Sequence, residues 1–259
     1  MKNFAVLTLA STGLLLAACN QTPAPSSLAA LSGTVVEGSF TETATSFRLT
    51  TGPWTGGAGS VRGYLVGEDG LTGQPATTGT LTADGKFVLT LPTPTAAQLS
   101  AIDTDLFGAL PEDYDFAADC LPQITLSDRS VRSTSLLVEV DAGKDGAVQP
   151  ATLSLDGTPG QGRLTFSFGG LTYVDRSVTL KGNRTCTVEG ERLTVQTDLR
   201  LGKGWNKVQL AVTGDEATGV YTVSAVSGSF SSDNWVFLDA DLTGLSLKSK
   251  LPKPTFLGR

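Results

Sequence analysis

The chain has 259 residues, 25 acidic and 19 basic side chains, a net charge of −6 and no histidine. The acidic balance argues against a nucleic-acid partner. The missing histidine excludes Ser-His-Asp and Cys-His nucleophilic machinery and histidine-ligated zinc or copper, and leaves carboxylate chemistry open.

Lys2 opens the chain, an apolar run follows from Phe4 to Leu16, and Leu16-Ala17-Ala18-Cys19 closes it. The pattern is that of a secretory signal with a small-residue cleavage site, too short to be a permanent membrane span. Leu-Ala-Ala-Cys resembles the lipobox of bacterial lipoproteins. The resemblance implies a signal peptide over 1–18, cleavage before Cys19, and acylation of Cys19 on its sulfur and on the new amine. It also implies a cell-envelope location, lipid-anchored and facing an extracytoplasmic compartment. Each buried CH₂ is worth about 0.8 kcal/mol, so two or three acyl chains hold a protein firmly. Asn20 is not the aspartate that retains some lipoproteins at an inner membrane, which favours the outer membrane in a cell with two. Residues 19–31, rich in Pro, Ser, Thr and Ala, read as a flexible tether. Beyond residue 18 there remain 241 residues and a net charge of −7, enough for one large β domain or two small ones.

Residues 32–91 read as a small β domain. Strand-like runs fall at Gly33–Val36, Ser46–Thr50, Ser60–Val66, Gly79–Thr82 and Lys86–Leu91, separated by glycine turns. Asp84-Gly85 supplies the positive φ of a tight hairpin, after which Phe87, Leu89 and Leu91 share one face. The Asp84-Gly85-Lys86-Phe87 stretch resembles transthyretin-like and carboxypeptidase-regulatory-like modules, which implies a β-sandwich.

Residues 92–122 break this pattern. Thr95–Ile102 can form a short helix with Thr95 as its cap, and Asp103, Asp105, Glu112, Asp113, Asp115 and Asp119 follow. The segment reads as an acidic linker fastened by Cys120. With Cys19 committed to lipid, Cys120 and Cys186 form one disulfide on the simplest reading. Two reactive or metal-binding thiols are the alternative, and without histidine they make a poor zinc site.

Residues 123–247 read as a second β domain, with 248–259 as a C-terminal tail. Its candidate strands are Ser135–Val140, Thr152–Leu155, Arg163–Phe168, Ser177–Leu180, Arg192–Leu201, Lys207–Thr213, Val220–Val226 and Trp235–Leu238. Arg192–Leu201 alternates most clearly, with Leu193, Val195, Leu199 and Leu201 on one parity and polar residues on the other. Leu171–Gly182, Cys186 and Asp198–Asn206 together resemble all-β envelope lipoproteins of the Deinococcus type, a resemblance that implies no catalytic residue. The fold expectation is all-β: two consecutive antiparallel β-sandwich-like regions with a short, partly helical linker.

Asp141–Gly146 has acids at the first and fifth places of a calcium loop and glycine at the sixth. It lacks ligands at the third and twelfth, and so reads as a hairpin turn. The Asp103–Asp119 stretch and the Asp239/Asp241 pair could coordinate calcium or be solvated surface. A glycosidase would need two carboxylates converging across a cleft. Trp54 in a glycine-rich loop and Trp205 beside a turn are the candidate ligand-binding aromatics; a core or corner plug is the plainer reading of Trp205 and Trp235, and for Trp54 both readings stay open. No metal or cofactor is expected. The functional expectation is a non-catalytic structural or binding module for an envelope protein or glycan. The alternatives are a carboxylate-based hydrolase of envelope polysaccharide and a calcium-stabilised adhesion module.

Overall fold

Polar–apolar alternation and glycine turns build sixteen strands and no α-helix among the described residues. The computed structural model describes residues 28–67, 70–71, 73–102, 120–158, 161–188 and 190–238. The expected signal peptide, Cys19, the tether up to residue 27, the acidic run 103–119, Asp239, Asp241 and the C-terminal tail lie outside the described residues.

The first strands are β1 (Ala30–Thr43), β2 (Ser46–Pro53), β3 (Gly59–Gly67), β4 (Gly70–Leu71), β5 (Thr77–Leu81), β6 (Lys86–Thr90), β7 (Ser100–Ala101) and β8 (Thr125–Leu126). They are followed by β9 (Arg132–Asp141), β10 (Asp145–Asp156), β11 (Arg163–Val174), β12 (Val178–Val188), β13 (Glu191–Leu201), β14 (Gly204–Asp215), β15 (Val220–Ser227) and β16 (Asn234–Leu238).

Seven of these close a ring. β1 pairs with β6, β6 with β5, β5 with β3, β3 with β9, β9 with β10, and β10 with β16. β16 then returns to β1 in parallel, setting Thr34 beside Asn234 and Gly38 beside Leu238. Inside lie Leu31, Val35, Trp54, Leu89, Val138 and Trp235, all buried.

The remaining strands extend the same sheet. β11 pairs with both β9 and β10, and the order continues β14, β15, β13, β12, β8. This part curves around a second core that includes Leu180, Leu193, Leu199, Leu210, Tyr221 and Val223. The two cores meet at β11 and β14. Leu171 and Trp205 face the first, Val174 and Leu210 the second.

Two expectations change here. The two consecutive sandwiches are replaced by one continuous sheet, because β9, β10 and β16 complete the ring that the N-terminal strands begin. The strands of 32–91 alone would leave the outer edges of β1 and β3 unpaired, and pairing removes that liability. The expected helix at Thr95–Ile102 is a three-residue 3-10 turn, Ala96–Gln98. Gln98 Oε1 accepts the Thr95 N–H at 2.9 Å. Beyond the turn Leu99 is buried and Ser100 pairs with Ser133 of β9, so burial and strand pairing end the helix after one turn.

The Asp84-Gly85 hairpin forms as its turn residues predict. Gly85 has φ +84°, its N–H donates to Thr82 O at 2.9 Å, and its carbonyl accepts Val35 N–H at 2.8 Å.

Candidate functional site

The strands of the second part bury one face and expose the other. On β13, Leu193, Val195, Thr197, Leu199 and Leu201 are buried, whereas Arg192, Gln196, Asp198 and Arg200 are exposed. Residues directly opposite in register share a face. Lys181 therefore stands beside Asp198 and Asn183 beside Gln196. Asp198 in turn stands beside Val226 of the parallel neighbour β15. Thr125 of β8 opposes Lys181 on the other edge of β12.

Between these two rows runs an open groove of about 660 Å³ over Gly182, Thr197 and Ala225, with Gln123, Thr125, Lys181, Asn183, Gln196 and Asp198 along it. The side chains of Gln123, Lys181, Asn183 and Gln196 make no hydrogen bond or ion pair with another described residue. Their amide donors and acceptors and the ammonium face solvent. Asp198 is the groove's one carboxylate and lies 3.6 Å from Arg200.

A smaller hollow of about 220 Å³ sits at the fork where β10 leaves β16 to join β2, lined by Thr51, Thr152, Ser154, Thr165 and Asn234. Thr152 belongs to a chain of hydroxyls, 2.7 Å to Ser167 and from there 2.8 Å to Ser231. Neither concavity holds two carboxylates.

The residues singled out from the sequence are scattered. Trp54 is 5 % exposed, packs edge-on against Phe237 with ring centroids 5.5 Å apart, and donates Nε1–H to Gly57 O at 2.8 Å. Trp205 is 3 % exposed, meets Tyr173 edge-on and donates Nε1–H to Pro92 O at 2.6 Å. Both indoles are core residues of the ring and neither presents a face to a ligand, so of the two readings the core one holds and the ligand-binding one falls. Cys120 and Cys186 are joined in a disulfide with their Cα atoms 5.7 Å apart.

Asp141–Gly146 is the β9–β10 hairpin, with Asp141 opposite Asp145. Two of its three charges are committed to neighbours: Asp141 pairs with Arg62, and Lys144 Nζ lies 2.7 Å from Glu37 Oε2. Burial pushes the Glu37 carboxyl up, but hydrogen bonds from Lys144 and Thr55 outweigh it and hold the group below its ordinary value. Among the described residues no group of three or more Cys, Asp or Glu side chains is placed to hold a metal ion.

The sequence reading missed the groove. Its one local signal was the polar parity of Arg192–Arg200. The register that sets Asn183 beside Gln196 is a long-range property and leaves no local mark.

Fold and groove define an all-β protein with a solvent-facing polar sheet and a concavity at its edge. No protein-family model, no curated protein and no solved structure matches the chain. Among the described residues no helix is long and apolar enough to cross a membrane.

Proposed function

We propose that the chain is a lipid-anchored, non-catalytic binding module of the cell envelope whose ligand is a glycan held in the β8–β12–β13 groove. The observation that carries this reading is the set of uncommitted polar side chains there. The three amides of Gln123, Asn183 and Gln196 and the Lys181 ammonium, beside a carboxylate that Arg200 already holds, offer donors and acceptors suited to sugar hydroxyls. Strand-borne side chains are positioned more firmly than loop-borne ones, so ordering them on binding costs little.

The anchor is Cys19, and the outer membrane is its site in a cell with two. The chain joins the fold at Leu28, whose N–H donates to Trp205 O at 3.1 Å. Nine residues of tether reach roughly 30 Å at full extension. That length lets the domain stand clear of the headgroups while staying tied to them.

The test has two arms. Acyl labelling of the expressed chain should be lost in Cys19→Ala, and labelling that survives would remove the anchor. A panel of neutral envelope glycans should yield a binder whose affinity falls about tenfold or more in Asn183→Ala/Gln196→Ala, with an unchanged melting temperature. A binder indifferent to that double substitution, or no binder at all, would overturn the groove's role.

A further inference from the structure

Beside the groove the register assembles a row of hydroxyls. Thr185 of β12 stands opposite Thr194 of β13, and Thr194 stands beside Thr222 of β15. Thr222 faces Thr213 of β14, Thr213 faces Thr165 of β11, and Thr165 faces Ser154 of β10. Six hydroxyl residues thus lie in one line across six neighbouring strands on the face that carries the groove. Strands lie 4.7–4.9 Å apart, so the line extends roughly 24 Å. It passes two residues along from Asn183 and Gln196 on their own strands, about 7 Å away.

All six are half-buried or exposed. Thr185 and Thr194 bond each other at 3.1 Å, and the hydroxyls of Thr165, Thr213 and Thr222 make no side-chain hydrogen bond with another described residue. A hydroxyl both donates and accepts, and a β-branched side chain is stiff at χ1, so the row is an ordered array of two-way hydrogen-bonding groups.

The surroundings narrow the ligand. Across the row from the groove Arg163 and Asp215 pair with each other at 3.3 Å, and in the groove Asp198 pairs with Arg200 at 3.6 Å, which leaves Lys181 and Arg192 outside any ion pair with a described residue. Lys181 and Arg192 lie on opposite sides of the row and form no cluster for a polyanion, and both acids are already paired, which leaves none for a polycation. Val220 and Val226, 43 % and 40 % exposed, are its large apolar residues and lie on opposite sides of the row. Separated in this way they form no patch for an apolar partner.

We infer that the ligand is a linear, neutral glycan chain lying across the strands, with the groove as one subsite and the Thr185–Ser154 row as a track for the sugars that follow. This rests on the groove being a glycan site, as proposed above.

The test is calorimetric titration of the intact, disulfide-bonded chain with chito-oligosaccharides and cello-oligosaccharides, from disaccharide to hexasaccharide. Affinity should rise about tenfold along at least one ladder, as each added sugar finds a prepared partner. In Thr194→Val/Thr213→Val/Thr222→Val the hexasaccharide should bind no better than the disaccharide, whose own affinity is unchanged. Valine suits a strand, so the sheet is retained. Thr213→Ser/Thr222→Ser, which keeps the hydroxyls, should keep the length gain and serves as the control should the valine variant fail to fold. A hexasaccharide no tighter than the disaccharide, or a length gain that survives the valines, would overturn the track and leave the groove standing. Failure of every saccharide to bind would overturn both.

Discussion

Cys120 stands opposite Cys186 in the register that pairs Thr125 with Lys181 and Leu126 with Leu180. Cys120 lies five residues before Thr125, and Cys186 five after Lys181. The hydrogen-bonded ladder between β8 and β12 does not extend that far. Pro122 falls between and has no N–H to contribute. The disulfide holds the segment against the β12 edge where backbone pairing stops, and keeps Ile124 over Gly182, whose added Cβ would meet the Ile124 side chain.

Replacing both cysteines by serine should therefore do two things. It should lower the unfolding free energy by about 4 kcal/mol, the entropy of closing a loop of this length in the unfolded chain. It should also free Gln123 and Thr125 from their place beside Lys181, and so weaken ligand capture. Urea unfolding with and without reductant measures the first effect. A change below about 1 kcal/mol would mean that the segment is held mainly by Ile124 and its apolar neighbours.

Gly85 and Gly190 both have positive φ, +84° and +92°. A Cβ at Gly190 would meet open space, whereas at Gly85 it would press on the Val35 carbonyl oxygen. Gly190→Ala should cost about 1 kcal/mol, the left-handed penalty alone. Gly85→Ala should cost more, because Val35 is fixed in the ring and its N–H is bound to Gly85 O. Equal melting temperatures for the two variants would contradict this account.

The chain's three tryptophans should report the closed ring directly. Trp54, Trp205 and Trp235 are all nearly fully buried. Acrylamide should quench the native protein's fluorescence weakly and the urea-unfolded protein's strongly. Strong quenching of the native state would place at least one indole in solvent. Trp54→Ala should destabilise by about 3–5 kcal/mol, as for other buried aromatics.

Local chemistry explains what could be read in advance. Asp84-Gly85 announces its turn because positive φ is needed at one place and only glycine supplies it cheaply. Arg192–Leu201 announces a half-buried strand because its alternation is intact over its whole length. The parallel pairing of Val35 with Trp235 is different in kind, since it joins the two ends of the described chain and neither segment carries a local mark of the other. Trp205 shows both cases at once. Its parity with Lys207 was legible and places it opposite Leu210, but that face is covered by Tyr173 and the ring interior, so it is buried on both counts. Long-range register also assembled the groove, and composition alone could not reveal it.

Tyr221 should give the protein a specific alkaline limit. Its ring lies in the second core against Gly214, where an added Cβ would strike it. Burial, helped by the nearby carboxylates of Glu191, Glu216 and Asp215, pushes its phenol up to about 12. In the unfolded chain the same phenol ionises near its ordinary value of about 10. Between these values the folded protein binds more protons than the unfolded one, so stability must fall as pH rises through the window. Below about pH 10 both states are protonated and the residue adds no pH dependence. Tyr221→Phe removes the titrating group and keeps the ring, while every other ionisable group is shared with the parent. The difference in unfolding free energy between parent and variant should therefore be constant at neutral pH and shift in the variant's favour above about pH 10. Urea midpoints measured in parallel across that range would show it, and parallel curves throughout would mean that the phenol is not held neutral by the core.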